Sequence, residues 1–334
     1  MLNDSRQAQL ITWLNHVFTE SEITLVAMSG DAGFRRYFRF TANNQAYIAV
    51  DSPAQWCNNS AFVAIQQRFA EAQIQVPVIV AEDEAAGFFC LSDLGDVLLS
   101  DIVTERTMEE LYQQAIDILP TLSSLECNDL PEFDGEFVQR ELTIFTEWLV
   151  NKHLSLTLSE QEQQQLAQCF SVLTASALAQ PQVLMHRDFH SRNIMQTNGQ
   201  LAVIDFQDAV KGPITYDIVS LLRDCYLKWP NEQVLSLFSY FITLQASQHH
   251  LANITAEQWQ KWFDLMGLQR HLKASGIFAR LHHRDNKPNY LKDIPLTLSY
   301  IVDISQQYSE LAFLGTLVSQ RVLPALSLLA VKDK

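Results

Sequence analysis

The sequence predicts an α+β protein with a small β-rich N-terminal lobe, residues 1–97, and a large helical C-terminal lobe, residues 98–334. Two observations predict this division. Short runs of β-branched and aromatic residues alternate with turn residues in the first lobe, whereas apolar residues recur with a helical period in the second. A short β-rich segment, residues 183–206, interrupts the helical pattern.

The first lobe begins with an amphipathic helix, and five strands follow it. "TLVAM" and "RRYFRF" predict a hairpin around the glycine-containing turn "SGDAGF", and "QAYIAV" predicts a third strand. Residues 60–72 have apolar side chains at helical spacing, and "VPVIVAED" and "GFFCLSDLG" complete the sheet. We therefore expect a five-stranded sheet that carries a helix, with a hinge near residues 91–96.

The second lobe is predicted to be built from long helices, without an internal repeat or a low-complexity linker. The helical periods cover residues 107–125, 136–151, 158–179, 215–228, 232–251, 255–273 and 308–331.

Composition favours a cytoplasmic protein. The net charge of −15 repels polyanions, so neither a nucleic acid nor an anionic membrane is expected as a partner. The five cysteines are scattered and odd in number, which is typical of reduced thiols. The N-terminus lacks a signal-peptide pattern, and the apolar run "VLPALSLLAV" is too short to span a bilayer.

The segment "VLMHRDFHSRNIM", residues 183–195, carries the residues that phosphoryl transfer needs. Asp188 is the candidate base that accepts a hydroxyl proton, and Arg192 is a candidate contact of the transferred phosphoryl group. Asn193 follows five residues after Asp188, and the apolar strand "LAVID" ends in Asp205. An amide oxygen and a second carboxylate at this spacing predict a Mg²⁺ site between the phosphates of ATP.

A second His-Arg-Asp tripeptide occurs in "ARLHHRDNKPNY", residues 279–290. No apolar strand leads into Asp285, and no strand ending in an aspartate follows it. We expect this copy to lie in a polar loop between helices and to have no catalytic role.

The glycine-containing turn is the candidate cover of the ATP phosphates, through its backbone N–H groups. Protein kinases add a lysine on the third strand, but Val50 and Asp51 occupy that place here, and the first lysine of the chain is Lys152. The charge of the phosphates must therefore be neutralised by Mg²⁺ or by arginine, of which Arg39 is one candidate. The predicted cofactor-binding residues of this region are Ser29, Gly30, Asp31, Gly33, Arg35 and Arg36.

Only about nine residues separate Asp205 from a helix that begins near Thr215. A protein kinase uses this interval for a long segment that docks a peptide, so the short link favours a small-molecule acceptor. Asp217, at the start of that helix, is predicted to be an N-terminal cap or a buried brace of the catalytic loop.

The motifs "HRDFHSRNIM" and "VIDFQDAVKGPITYDIVSLLRDCY" resemble those of the aminoglycoside-phosphotransferase-like kinases. More narrowly, the chain is similar over nearly its whole length to the bacterial cell-wall-recycling kinases of N-acetylmuramate and N-acetylglucosamine. An acidic-Pro-type segment, here residues 51–53, is usual in that subgroup, whereas Gly33 stands where a serine is expected.

The resemblance implies a two-lobed protein-kinase-like fold, with ATP and Mg²⁺ as cofactors. It also implies that main-chain groups at Ser92, Asp93 and Leu94 contact the adenine, and that Gln207 and Asp208 face the site. The implied reaction is phosphorylation of the anomeric (C1) hydroxyl of N-acetylmuramate, N-acetylglucosamine or both, in peptidoglycan recycling.

Two alternatives stay open at the level of sequence. The acceptor could be another small alcohol, such as an aminoglycoside, choline or homoserine, or the chain could be a nucleotide-binding pseudokinase that regulates a partner. Cationic acceptors require a carboxylate-lined pocket, whereas the segment 280–292 offers cations, among them Arg280 and Arg284. These two arginines are therefore candidate contacts of a neutral or anionic sugar.

Overall fold

The computed structural model describes residues 2–19, 22–28, 34–248 and 251–332. In chain order, its strands are β1 (Val26–Ala27), β2 (Arg36–Ala42), β3 (Gln45–Asp51), β4 (Ile79–Asp83), β5 (Phe88–Ser92), β6 (Gln182–Met185), β7 (Ile194–Thr197), β8 (Gln200–Val203) and β9 (Val210–Pro213). Its α-helices are α1 (Leu2–Phe18), α2 (Asn59–Glu71), α3 (Leu99–Ile102), α4 (Met108–Ile116), α5 (Ile118–Ser124), α6 (Gly135–Ile144), α7 (Glu160–Leu178), α8 (Tyr216–Leu222), α9 (Asn231–Gln248), α10 (Ala256–Asp285), α11 (Ile294–Ser305), α12 (Ala312–Leu317) and α13 (Leu323–Lys332).

The chain divides into two compact units. Unit 1 consists of residues 1–102 and 192–208, and unit 2 consists of residues 103–191 and 209–334. The first unit thus extends beyond the predicted boundary at residue 97 and also takes in the short segment that follows the catalytic loop. As a division into domains, the boundary at residue 97 stays a prediction.

The core of unit 1 is an antiparallel sheet in the order β1-β2-β3-β5-β4. Side chains alternate between its two faces because successive residues of a strand point in opposite directions. In β3, Tyr47 and Ala49 join the apolar core formed with α1, whereas Ile48 lines a cavity on the other side. In β5, Phe88 belongs to the same core and Leu91 lines the same cavity.

The hairpin of β7 and β8 is attached to the rest of unit 1 by backbone hydrogen bonds. Gln196 N donates to Val97 O at 2.9 Å, and Val203 N donates to Gln75 O at 2.8 Å. Phe206, directly after the hairpin, stacks on Phe62 of α2 with ring centroids 5.4 Å apart. These contacts fix the residues on both sides of the hairpin, including Asn193 and Asp205.

Unit 2 is organised around α10, a 30-residue helix that is buried along most of its length. At Gly276 a Cβ atom would lie 2.4 Å from the carbonyl oxygen of Ile144, so only glycine permits this approach of two backbones. Ile144 ends α6, and a π-helical segment, Phe145–His153, continues from it. A two-stranded antiparallel sheet of β6 and β9 completes the unit beside the catalytic loop.

The predicted five-stranded sheet and its helix are confirmed, and most of the predicted helices are found. Two predicted helix ends were wrong, because α8 ends at Leu222 and α10 continues to Asp285, and two helices, α3 and α11, were missed. Strand β9 was missed as well. The second His-Arg-Asp copy therefore ends a helix and does not lie in a loop, because the apolar residues Phe278 and Leu281 keep this turn of α10 packed.

One helical segment, Ser309–Leu329, is long and apolar enough by length and composition to cross a membrane, although the shorter run "VLPALSLLAV" alone is not. Core helices of water-soluble proteins pass the same test, so this single segment is weak support for a membrane span.

Candidate active site

A cavity of about 240 Å³ lies within unit 1. Its walls are mainly apolar and aromatic, and include Ile48, Phe62, Leu91 and Met195. The remaining wall is the segment 92–95, in which the predicted adenine contacts Ser92, Asp93 and Leu94 follow strand β5. A mainly apolar cavity bordered by a main-chain segment suits a purine ring.

Arg39 holds that segment in place. Its guanidinium donates from Nε to Asp93 at 2.6 Å and from Nη1 to Asp96 at 2.8 Å, and it also contacts the carbonyl oxygen of Gly95. These hydrogen bonds raise the pKa of Arg39 above its usual range. Among the three arginines of the hairpin, this one braces the cavity wall.

Two candidate metal ligands lie at the end of the same cavity. Asn193 Nδ2 is 3.4 Å from Asp205 Oδ2, and Ile204 N donates to the carbonyl oxygen of Asn193 at 3.0 Å. Asp205 is a non-glycine residue with a φ of +63°, a conformation that is strained and common at functional sites. An exposed carboxylate beside an amide oxygen is the hard-oxygen donor set that Mg²⁺ prefers.

Gln207 faces this carboxylate, as its Nε2 donates to Asp205 Oδ1 at 2.7 Å. The Gln207 side chain thus orients the candidate metal ligand Asp205. The sequence did not predict this role of Gln207. Asp208 is exposed at the end of unit 1, and Arg192 is half-buried directly before Asn193. The roles of Arg192 and Asp208 stay predictions.

Two arginines of the hairpin differ in their partners. Arg36 and Arg6 both bind the buried carboxylate of Asp51, with Nε–Oδ distances of 2.9 and 2.8 Å. Arg35 instead donates to two neutral oxygens, Ser52 Oγ at 3.1 Å and the carbonyl of Asn58 at 3.3 Å. The acidic residue that ends β3 in place of lysine thus binds one arginine of helix α1 and one of strand β2.

The predicted phosphate-covering residues Ser29, Gly30, Asp31 and Gly33 lie outside the described residues. Their contact with ATP phosphates stays a prediction.

The catalytic loop begins in unit 2 and is braced by Asp217. The Asp217 carboxylate accepts hydrogen bonds from the backbone N–H groups of His186, at 2.8 Å, and Arg187, at 3.0 Å. Burial raises the pKa of Asp217 to about 7, against the lowering effect of these two bonds. Asp217 lies inside α8 and acts as the predicted brace, not as a helix cap.

The Asp188 carboxylate is surrounded by cations. Burial raises its pKa, but the charges of Lys273, His190, Arg187 and Arg270, in decreasing order, outweigh burial and lower the pKa to about 2. Arg187 has a φ of +77°, so the backbone directly before Asp188 is held in a strained conformation. Asp188 is therefore an ionised, positioned carboxylate at neutral pH.

A cavity of about 90 Å³ opens beside Asp188. Its walls include Arg270 and Lys273 of α10, both buried, together with His190 and Tyr226. One carboxylate thus faces two permanent cations, which suits a neutral or anionic acceptor better than a cationic one.

A buried ion network supports this arrangement. Glu141 of α6 accepts from Arg187 at 2.9 Å and from Lys273 at 2.8 Å, and Gln269 donates to its second oxygen at 3.0 Å. Burial raises the pKa of Glu141, but the charges of Lys273 and Arg187 lower it by more. The pKa of Glu141 therefore lies below its usual range. Lys273 also donates to the hydroxyl of Tyr216 at 3.0 Å.

The second His-Arg-Asp copy has a different environment. Arg284 donates to the carboxylate of its own neighbour Asp285 at 2.8 and 2.9 Å, and both side chains are partly exposed. The Nε atom of Arg280 is buried and has no hydrogen-bond partner among the described residues. Neither arginine lines the cavity beside Asp188, and their contact with an acceptor stays a prediction.

Sequence reasoning missed Glu141, Arg270 and Lys273. The signal was present in "LMGLQRHLKASG", where charged residues interrupt an apolar helix whose other faces are also apolar. Charged side chains on a fully buried helix need partners, so such a pattern marks a buried polar cluster.

The chain matches the model of a protein family described as "Phosphotransferase enzyme family" over residues 24–250. A relative from Pseudomonas putida, an N-acetylmuramate/N-acetylglucosamine kinase, is 39 % identical over 95 % of this chain and 97 % of its own length. A relative of the same name from Neisseria meningitidis is 37 % identical over 95 % of this chain and 96 % of its own length.

Solved structures show the same fold at low sequence identity. An aminoglycoside phosphotransferase in complex with gentamicin superposes with a TM-score of 0.61 at 16 % identity, covering 92 % of this chain and 98 % of that one. A choline kinase from Streptococcus pneumoniae gives a TM-score of 0.58 at 12 % identity over 96 % of this chain and 99 % of that one.

The fold and the family match together define a kinase with a protein-kinase-like fold that uses ATP. The chain belongs to the phosphotransferase enzyme family.

Proposed function

We propose that this kinase transfers the γ-phosphoryl group of Mg-ATP to the C1 hydroxyl of N-acetylmuramate or N-acetylglucosamine, in the cytoplasm, as a step of peptidoglycan recycling. The names of the two relatives support this choice of acceptor. Both relatives align with nearly the whole chain, at 37–39 % identity. No nucleic acid or membrane takes part in this reaction.

The observation that carries the choice of acceptor is the cavity beside Asp188. Arg270 and Lys273 line it and are buried, so a cationic aminoglycoside or choline would lose its hydration without gaining an excess of negative charge. The lactyl carboxylate of N-acetylmuramate would instead pair with Arg270, which has a single hydrogen bond within the described part of the chain, to the Sγ atom of Cys225 at 3.6 Å. Lys273 is already paired with Glu141, so Arg270 is the better anion partner.

The oxygen of the C1 hydroxyl would bond to the γ-phosphorus while the bond from that phosphorus to the leaving ADP oxygen breaks. Asp188 would accept the proton that the hydroxyl loses. A carboxylate with a pKa of about 2 is a weak base, but it is ionised throughout the physiological range. A loose transition state requires the proton only late, and an anomeric hydroxyl is more acidic than an ordinary alcohol. Positioning supplies most of the rate.

Asn193 and Asp205 would hold Mg²⁺ through one amide oxygen and one carboxylate, with Gln207 keeping that carboxylate oriented. When bound, the ion neutralises charge on the phosphates. The amide of Asn193 has its nitrogen toward Asp205 and must turn to present its oxygen, which a planar amide does without moving the backbone.

Arg35 is the hairpin arginine best suited to replace the missing lysine. Its hydrogen bonds go to neutral oxygens, so its charge is available to the phosphates, whereas Asp51 holds Arg36 and Asp93 holds Arg39. Arg192 and the turn before Phe34 would complete the contacts of the phosphates, and Ser92–Leu94 would contact the adenine.

The experiment is a phosphorylation assay with Mg-ATP over a panel of free sugars and alcohols, with the product identified by ³¹P NMR. We expect the 1-phosphates of N-acetylmuramate and N-acetylglucosamine. Aminoglycosides, choline and homoserine should give less than one hundredth of that rate. A 6-phosphate product, or turnover of a cationic alcohol only, would refute the proposal, and no turnover with any acceptor would favour the pseudokinase alternative.

Arg270→Gln tests whether Arg270 binds the lactyl carboxylate of N-acetylmuramate. We expect the KM for N-acetylmuramate to rise at least about tenfold, whereas the KM for N-acetylglucosamine changes less than about threefold, because only the former carries a carboxylate. Arg284→Gln is the matched control and should change neither value. Equal effects of Arg270→Gln on both sugars would exclude a carboxylate contact.

A further inference from the structure

The second His-Arg-Asp copy lies beside a cluster of three histidines that the proposed reaction does not use. His282 and His283 are in the last turn of α10, and His153 ends the π-helical segment Phe145–His153. Nδ1 of His153 is 3.2 Å from Nε2 of His283. One ring nitrogen from each of the three residues lies within 4.8 Å of the other two.

The shorter of these distances, at which a hydrogen bond joins the two rings, also matches the spacing of nitrogens around a bound transition metal. Two nitrogens at about 2.0–2.1 Å from a tetrahedral ion are roughly 3.3 Å apart, close to the separation of the His153 and His283 nitrogens. The ring nitrogen Nδ1 of His282 is buried and has no hydrogen-bond partner in the described part of the chain. A buried polar nitrogen without a partner is unfavourable, and coordination would remove that penalty.

The backbone holds the two segments together independently of any ion. Gly276 lets α10 approach the residue that precedes the π-helical segment, as described above, so two helical segments in close contact present the three rings. The rings are in mutual contact, with centroid separations between 4.6 and 5.9 Å.

The neighbouring cations are already engaged. The ammonium of Lys152 lies over the ring of Trp148, 4.3 Å from its centroid, and Arg284 is paired with Asp285. Imidazole nitrogens favour Zn²⁺, Ni²⁺ and Cu²⁺, whereas Mg²⁺ prefers oxygen ligands. This cluster would therefore not compete with Asn193 and Asp205 for the same ion.

We propose that His153, His282 and His283 bind one divalent transition-metal ion, with Zn²⁺ as the representative ligand and water in the remaining coordination position. The ion fastens the C-terminal end of α10 to the segment Phe145–His153. Because α10 also carries Arg270 and Lys273, the bound ion stabilises the helix that lines the cavity beside Asp188. The site serves structure and leaves the phosphoryl-transfer chemistry unchanged.

The test uses the full chain without an added histidine tag, in a buffer with excess Mg²⁺. Zn²⁺ binding is measured by isothermal titration, and Co²⁺ is used as an optical probe of nitrogen coordination. We expect one equivalent of Zn²⁺ per chain, reversal by EDTA, and a rise of a few degrees in the thermal midpoint at about 100 times Kd. His283→Gln and His153→Ala should each weaken binding at least about tenfold.

His16→Ala is the matched control, since His16 is an exposed histidine of α1 in the other unit. It should leave stoichiometry, affinity and the thermal midpoint unchanged. His283 is exposed, so His283→Gln should fold normally, which is checked by circular dichroism and kinase activity. Absence of Zn²⁺ binding by the unaltered chain would overturn the proposal, and so would equal binding by the His283 and His16 variants.

Discussion

The two His-Arg-Asp copies share three residue types and lie in the same compact unit, but their surroundings differ. In the first copy, Arg187 has a φ of +77° and Asp217 binds the backbone N–H groups of His186 and Arg187. In the second copy, the same three residue types end a regular helix, and Arg284 binds only its neighbour Asp285 among the described ion pairs.

The difference shows that distant partners, not the tripeptide itself, position the loop of the first copy and set the charge around Asp188. Glu141, Asp217 and Lys273 come from three separate helices and fix the first copy in a strained geometry. In the second copy, Arg284 and Asp285 pair with each other at a helix end, and the distant contact of His283 is with the ring of His153. Substitutions of the residues that surround or follow each copy should therefore have different effects.

Apart from Asp188 itself, the largest effect is expected at Asp205, which follows strand β8 and has no counterpart after the second copy. Asp205→Asn should lower kcat/KM by roughly 10³-fold, equivalent to ~4 kcal/mol, because it removes the charged member of the proposed metal site. Steady-state assays over a range of Mg²⁺ concentrations measure this. The Asp208→Asn variant is the control, and equal losses in both variants would argue against a metal role of Asp205.

Glu141→Gln tests the distant partners of the first copy. It leaves Arg187 and Lys273 buried without their counter-charge, so the free energy of unfolding should fall by about 3 kcal/mol. Urea denaturation measures this. Glu310→Gln removes an exposed ion pair with Lys261 and should leave the urea midpoint almost unchanged. Equal shifts of the midpoint would contradict the assigned importance of the buried network.

A smaller effect is expected from the titration of Asp188. Its pKa is lowered from 3.8 to about 2 in the folded chain, so its charged form stabilises the fold above pH ~4, and this stability is lost as the pH falls toward 2. The loss corresponds to about 2 kcal/mol. Asp217 has a raised pKa of about 7, so it stays protonated in the folded state across this range, and its titration in the unfolded state is common to the unaltered chain and the Asp188 variant.

This is measured as the difference in unfolding free energy between the unaltered chain and Asp188→Asn from pH 5 to pH 2. The difference should change by about 2 kcal/mol across that range. A constant difference would mean that the cations around Asp188 do not stabilise its charge.

The smallest effect is expected after the second copy. Asn286 ends α10 in the left-handed conformation, with a φ of +54°, and its N–H donates to the carbonyl oxygen of Leu281. Asn286→Ala should cost about 1 kcal/mol because alanine tolerates this conformation less well. Thermal unfolding measures the change, and kinase activity should be retained. A loss of activity would give the second copy a role that its geometry does not support.

Local sequence patterns were enough to predict the sheet of unit 1 and the spacing of Asp188, Asn193 and Asp205. Alternation along β2, β3 and β5 follows directly from strand geometry. The strand that leads to Asp205 was also predictable from its apolar run, although β8 ends two residues earlier, at Val203.

Long-range packing explains what could not be predicted. Glu141 and Lys273 are 132 positions apart, yet their side chains form an ion pair, and no local pattern links them. The extension of α10 through His282 and His283 was missed because Pro288 and the polar composition suggested a loop. The polar residues instead lie on a helix end that packs through Phe278 and Leu281.

The most direct test of this comparison is a side-by-side assay of Asp188→Asn and Asp285→Asn, with ADP release and ATP affinity measured for both. We expect Asp188→Asn to lose at least roughly 10³-fold in kcat with an unchanged ATP dissociation constant. Asp285→Asn should retain both values within about twofold. Near-full activity of Asp188→Asn, or a comparable loss in Asp285→Asn, would contradict the assignment of the first copy as the catalytic one.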